Sequence, residues 1–440
     1  MSILDDIYNA FEPEPLPAGS PVYVDCKAVR GGSNIFVELG RTIQKSNKYT
    51  CQLYTGHRGG GKSTELLRLE QDLEQKGCVV VYFSAEDEDI NTEDVEYTDL
   101  LLACTRHLLE RVKQADAKPI LSWLQDRAKA FDDVLNTQIF VDDPKLEIGI
   151  KEFAKITGTI RTQPTQRAKL REILTPYTEN LVKALNYFID DAYKKLPPGK
   201  NKIVLIADGL EKITLITKDG GRTNHDEIFI DRSTQLRGLN CHVIYTVPIS
   251  LVLSSRASDL MEIYNCTPQV LPMVMVRTKD NQPYQAGIEA MKQIVRCRIK
   301  SIDKAKGMAL VGEVFDTPET LEQFCLISGG HVRNLVLLMQ TAIKYNEEER
   351  LPISGNALLQ AIRQLRKTYR DTVNSNQWSL LATVHQTKTI PNDDAHRSLL
   401  FNRCLLEYLV EGETWQDVHP VLLEVSEFKT AFKAIAKIQT

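Results

Sequence analysis

Gly56-His57-Arg58-Gly59-Gly60-Gly61-Lys62-Ser63 has the spacing G-x-x-x-x-G-K-[ST], a pattern suited to holding phosphate. Glycines let successive backbone N–H groups face inward as an anion nest, and a helix N-terminus behind them adds partial positive charge. In such a loop Lys62 reaches the β- and γ-phosphates and the Ser63 hydroxyl ligates Mg²⁺, with Thr64 next in the helix. The metal's shell also needs a carboxylate at the end of a buried neighbouring strand, and Ile203-Val204-Leu205-Ile206-Ala207-Asp208 supplies one. Three residues on, Glu211 is the candidate to orient an attacking water. Each has a plainer reading, a turn former for Asp208 and a solvated first-turn carboxylate for Glu211. The phosphate loop tips both toward chemistry.

The elements that must position these groups are legible as patterns. Tyr49 to Tyr54 is a short β-rich run ending at the glycines, and Leu66, Leu67, Leu69 and Leu73 continue in helical spacing. Continuous apolar runs at Cys78–Phe83, Ile203–Ala207, Val243–Val247 and Val270–Val276 read as strands buried on both faces. Helical patterns separate them, so the expected class is α/β with a parallel sheet. Almost 120 residues between Phe83 and Ile203 read as helices, including Tyr97–Gln114, Ile120–Ala130 and one long helix Gln166–Lys195, and are expected to form an insertion. The expected division is an arm and helix over 1–45, a core over 46–276 with its insertion near 100–200, a helical lid over 277–350, and a C-terminal unit over 351–440.

At 440 residues the chain has room for about three domains. Its composition, 42% hydrophobic and 25% charged, excludes collagen-like, disordered and small disulfide-stapled classes. A net charge of -4 gives no global pull toward nucleic acid or an anionic membrane. No apolar run is long enough for a membrane helix, and the first residues do not read as a secretory signal. The nine cysteines lack C-x-x-C spacing and read as buried thiols of a cytoplasmic protein.

The phosphate loop, Asp208-Gly209-Leu210-Glu211 and Ser328-Gly329-Gly330-His331-Val332-Arg333 together resemble the AAA+ and STAND P-loop ATPases, nearest the origin-recognition and archaeal STAND branch. The resemblance spans roughly residues 46 to 350. It implies a five-stranded sheet, a helical lid, a C-terminal winged helix, and ATP with Mg²⁺ as ligands. It also implies a polar sensor on the strand Val243–Val247, with Thr246 ahead of Ser250, and a lid arginine, Arg333, that touches the γ-phosphate. Arg30-Gly31-Gly32 resembles an upstream element lying by the nucleotide, with a plain turn as its simpler reading, and Arg256 is the best match for an arginine offered to a neighbouring subunit, with a surface salt bridge as its simpler reading. Gly209 stands where many AAA+ proteins carry the catalytic glutamate, which points to slow turnover.

Two further features bear on partners. Ser84 to Asp99 carries eight acidic residues and is expected to be a solvated loop. From Asn374 onward a helix Trp378–His385, a second Asp394–Asn402 and a hairpin around Glu411-Gly412-Glu413 read as a winged helix. Arg363, Arg366, Lys367 and Arg370 share one helix face and offer phosphate contacts, while His396, Arg397 and Arg403 make the recognition helix weakly basic. The expectation is an ATP-hydrolysing switch in signalling or assembly, with bacterial defence as its setting by resemblance, and a protein partner or self-assembly. The alternatives are a DNA-remodelling ATPase that uses residues 357–440, and a nucleotide-binding scaffold without turnover.

Overall fold

The computed structural model describes residues 2–32, 35–135, 146–218, 222–346 and 350–438. Five strands, β1 (Cys51–Gly56), β2 (Cys78–Ser84), β3 (Lys202–Asp208), β4 (His242–Thr246) and β5 (Gln269–Leu271), form one parallel sheet ordered β2-β3-β4-β1-β5. Alternate residues serve opposite faces, as the two-residue period of a strand dictates. Leu53, Val81, Leu205 and Tyr245 face the insertion helices, whereas Tyr54, Val80, Ile206 and Ile244 pack on Leu66, Leu69 and Leu73 of the helix Lys62–Gln75. Both faces are covered, and that explains the unbroken apolar runs. The register pairs Tyr54 with Thr246 and Ser84 with Asp208, so Gly56, Asp208 and Thr246 emerge at the same edge. In open α/β sheets ligands bind outside that carboxyl edge.

Three expectations change. The run Val270–Val276 pairs with β1 only through Leu271, because Pro272 has no N–H to continue the ladder. Beyond it the Met273 amide donates to Glu407 O (2.9 Å) and the Met275 amide to Val29 O (2.9 Å), so this stretch stitches the core to distant segments. The helix expected over Gln166–Lys195 is two, Pro164–Leu174 and Thr178–Lys194, broken by a 3-10 turn at Thr175–Tyr177 that contains Pro176.

The acidic stretch is solvated only in part, with Asp87, Glu93 and Asp94 exposed. Asp89 and Asp99 are buried, and Arg171 grips Asp99 through Nε (3.2 Å) and Nη2 (2.5 Å) and Asp94 through Nη1 (2.8 Å). This network fastens the chain leaving β2 to the insertion. Arg171→Ala leaves a carboxylate buried without its partner, and removing one member of such a pair costs about 3–5 kcal/mol. Urea denaturation is expected to show that loss, with Lys169→Ala as an exposed control on the same helix.

After β5 come the lid helices Gln285–Lys300, Pro318–Ile327 and Val332–Tyr345, and then Gly355–Arg370. The helices Trp378–Thr387 and Asp394–Phe401, the antiparallel hairpin β6 (Leu405–Val410) and β7 (Glu413–Val418), and the helix Ser426–Ile438 complete the chain. Lid and C-terminal elements share one core, into which the N-terminal helix Ile3–Ala10 inserts Leu4 and Ile7. Among the described residues no helix is long and apolar enough to cross a membrane, and all nine cysteines are free thiols.

Candidate functional site

The loop between β1 and the helix Lys62–Gln75 bends through Gly56, Gly59 and Gly61 at φ of 145°, 80° and 106°. These backbone positions suit glycine because other residues have a Cβ that crowds there. A Cβ on Gly59 would lie 2.6 Å from His331 Cε1 and 2.7 Å from Arg333 Cβ, so the lid rests directly on the loop. The Arg333 amide donates to Gly59 O (3.1 Å), and His331 Nε2 meets Arg58 O (2.5 Å).

Lys62 is 3% exposed, and its ammonium meets Gly56 O (2.9 Å), His57 O (3.0 Å) and Glu211 Oε1 (3.0 Å). Its three donors therefore have three acceptors. Glu211 sits on a 3-10 turn, Leu210–Lys212, entered through Gly209 at φ 84°. Burial works against its charge, but Lys62 outweighs that and holds the carboxyl below its ordinary value; Oε2 is buried without a partner. Asp208 ends β3 with Oδ2 accepting from the Tyr82 hydroxyl (2.8 Å) and Oδ1 from the Gly209 amide (2.7 Å). Burial first, and the Glu211 charge second, push Asp208 up to about 6, while the Ser63 hydroxyl beside it pulls the other way. Thr246 Oγ1 accepts the Leu210 amide (3.0 Å), so β4 holds the turn that carries Glu211.

A cavity of about 610 Å³ opens beside these groups, lined by Gly59 to Thr64, Asp208, Glu211, Lys212 and Arg333. Its far wall is apolar, with Pro15, Leu16 and Val24 of the N-terminal arm facing Ile294 and Val336 of the lid. The Leu16 amide donates to Thr64 Oγ1 (3.1 Å), and Arg298 on the lid donates to Ala10 O (2.7 Å) and Glu12 O (3.2 Å), so the arm is tied to both banks. Arg30 also lines the cavity and donates to Gly60 O (2.6 Å).

Gly56, His57, Arg58 and Thr246 stand behind the cavity rather than on its lining. His57 Nε2 accepts the Glu407 amide of β6 (2.9 Å), and burial with nearby Lys62 holds it neutral, down to about 3. The Arg58 guanidinium lies 4.0 Å from the Phe401 ring and donates to Glu211 O (3.4 Å) and Lys212 O (3.1 Å). Ser250 is buried with Oγ unpartnered, and Arg256 is engaged by Asp231 and Asp259. Sequence reasoning missed Tyr82, Arg298 and the contacts of β6 with the loop. Nothing local marks them, because Glu407 lies 350 residues from His57.

The donor set can be tested against the expected ligands. Among the described residues no group of three or more His, Cys, Asp or Glu could hold a metal. One carboxylate beside one hydroxyl suits Mg²⁺, which keeps its waters and takes further oxygens from substrate phosphates. Glycines whose Cβ would fill the loop, next to a buried ammonium, suit phosphate.

No protein-family model matches the chain, and no curated protein matches it in sequence. Solved structures similar to it include the Walker-type ATPase PABY2304 of Pyrococcus abyssi, at 12% identity and TM-score 0.42, covering 96% of this chain and 99% of that one. The Aeropyrum pernix ORC2 protein, solved as ADPNP–ADP complexes, is 11% identical at TM-score 0.43 and 98% coverage of both chains. Cdc6p from Pyrobaculum aerophilum is 11% identical at TM-score 0.38, covering 94% of this chain and 99% of that one. On its own geometry the chain is an α/β protein whose five-stranded parallel sheet carries a glycine-rich loop at its carboxyl edge.

Proposed function

We propose that this chain binds Mg·ATP in the cavity, hydrolyses it slowly to ADP and phosphate, and uses the difference as a switch in assembly or signalling. The observation that carries the reading is the buried contact of Lys62 with Glu211, beside Asp208 and open to the cavity. Phosphate oxygens would replace Gly56 O, His57 O and Glu211 around the ammonium. Glu211, released from Lys62, would then accept a hydrogen bond from the water that attacks the γ-phosphorus. The new bond joins water oxygen to phosphorus, the bond to the β–γ bridging oxygen breaks, ADP leaves with that oxygen, and the proton shed by the water ends on the released phosphate. Bound Mg²⁺, held by Ser63 and Asp208, would supply charge neutralisation of the phosphates. Arg333 would meet the third phosphate from the lid, a contact that a diphosphate lacks. Such differential contact is what a nucleotide switch requires. Slow turnover fits a water-orienting carboxylate that starts in an ion pair.

A protein partner or a second copy suits the C-terminal unit, read as a winged helix, better than DNA. Arg366 donates to Val421 O (3.2 Å) and Arg370 pairs with Glu427, so two of the four cations on the basic face are engaged by the chain itself. His396 is buried against its own cap, Asp393.

Glu211→Gln tests the chemistry. Phosphate release from Mg·ATP is expected to fall by roughly a hundredfold, in the range for a positioned base. Triphosphate affinity should stay within a few fold of the parent. A variant that hydrolyses like the parent would contradict the role of Glu211, and a parent with binding but no turnover would favour the scaffold reading.

A further inference from the structure

The proposed chemistry assigns no part to Tyr82, although its side chain lines the cavity together with Ser63 and Asp208. The register of β2 on β3 sets Tyr82 opposite Ile206 and Ser84 opposite Asp208. Residues two apart share a strand face, so Tyr82 is the diagonal neighbour of Asp208, within reach of an aromatic side chain. The ring is half-buried against the apolar cluster that includes Leu66 and Leu69, and the hydroxyl at its tip donates to Asp208 Oδ2 (2.8 Å). The other oxygen, Oδ1, is taken by the Gly209 amide (2.7 Å). A carboxylate turns easily about its Cβ–Cγ bond, because that torsion has only broad preferences. One anchor leaves most of that freedom, whereas an anchor on each oxygen removes it. Both oxygens still have acceptor capacity to spare. Asp208 therefore presents a fixed donor to the cavity, and β2 sets its orientation as much as β3 does.

Rigidity at this donor matters differently to different cations. Mg²⁺ demands near-ideal octahedral geometry, whereas Ca²⁺ takes its oxygens in flexible arrangements. We infer that Tyr82 is a positioning residue for the divalent cation that accompanies the nucleotide: its hydroxyl fixes Asp208 as a rigid oxygen donor and thereby favours Mg²⁺ over Ca²⁺. This rests on the cavity being a nucleoside-triphosphate site with Asp208 beside the metal. A hydrogen bond that only satisfied a buried carboxylate would be missed equally with either cation, and that difference makes the two roles separable.

Calorimetric titration of a non-hydrolysable ATP analogue into the full chain, in EDTA, in Mg²⁺ and in Ca²⁺, separates the metal's contribution from that of the nucleotide. In the parent, Mg²⁺ should raise affinity over EDTA more than Ca²⁺ does. Tyr82→Phe keeps the ring and removes only the hydroxyl. It should bind the analogue in EDTA as the parent does, lose roughly tenfold of the gain from Mg²⁺, a usual loss when the partner of a metal ligand is removed, and keep the gain from Ca²⁺. Asp208→Asn should lose the gain from both. The inference is overturned if Tyr82→Phe keeps the parent's gain from Mg²⁺, or if the gains from Mg²⁺ and Ca²⁺ fall together. A phenylalanine variant that no longer binds in EDTA overturns it as well, because the hydroxyl would then support the cavity rather than the cation. A parent that binds the analogue equally in all three conditions sinks this inference alone, whereas a parent that binds in none of them sinks the nucleotide reading beneath it.

Discussion

Lys62→Ala is expected to weaken triphosphate binding by at least roughly a hundredfold, seen by calorimetric titration with Mg·ATP. The substitution removes two charge-assisted hydrogen bonds to phosphate, each worth about 1.5–3 kcal/mol, and every 1.4 kcal/mol is about tenfold in affinity. A second effect accompanies it. Glu211 is 4% exposed, and without Lys62 its carboxylate stays buried with no counter-ion. The variant should therefore also melt at lower temperature, and titration belongs well below that melt. Glu211→Gln, which removes the charge from the other side, should melt closer to the parent because the amide oxygen still accepts from the ammonium. The two variants thus separate the contribution of Lys62 to the ligand from its contribution to the fold.

Why Lys62 and Asp208 were readable in the sequence while much else was not follows from distance along the chain. Four glycines, a lysine and a serine fall within eight consecutive positions, and the chemistry of a phosphate nest demands them together. Asp208 ends an apolar run whose burial on both faces follows from composition alone. Arg333 follows two glycines, and those two glycines do have a reason visible in space. By contrast, the docking of β6 on the loop joins His57 to Glu407 and Arg58 to Phe401, pairs with no shared period or motif. Arg403 read as one cation of a weakly basic recognition helix; in the fold its Nε is buried without a hydrogen-bond partner. Likewise the carboxylates of the acidic stretch read as solvated, since their partners Arg167 and Arg171 lie more than seventy residues on. Helix and strand periods also cannot show where an apolar run leaves its sheet. Pro272 marks that point in β5, and the amides beyond it find acceptors on β6 and near Arg30.

Gly330→Ala is expected to cost the fold as much as Arg171→Ala does. Its φ is 74°, and an added Cβ would lie 1.7 Å from Val274 O and 2.7 Å from Val274 C. Backbone cannot yield as a flexible side chain can, so the turn into the helix Val332–Tyr345 must shift away from the stretch after β5. Left-handed strain and overpacking together are expected to cost about 3–5 kcal/mol. The shift also withdraws Arg333 and His331 from the loop, so nucleotide affinity should fall with stability. Urea denaturation beside calorimetric binding checks both. A folded Gly330→Ala protein with parental stability would mean that lid and core are not held together at this point.

The proposed function requires hydrolysis of a nucleoside triphosphate in the cavity at the carboxyl edge of the sheet. Phosphate release from Mg·ATP under single-turnover conditions, with parent protein in excess and Lys62→Ala as the paired control, tests it most directly. The expected result is slow, complete conversion by the parent, dependent on Mg²⁺, and none above background by the variant. Conversion that persists in Lys62→Ala, or a parent that releases no phosphate over many hours, would contradict it.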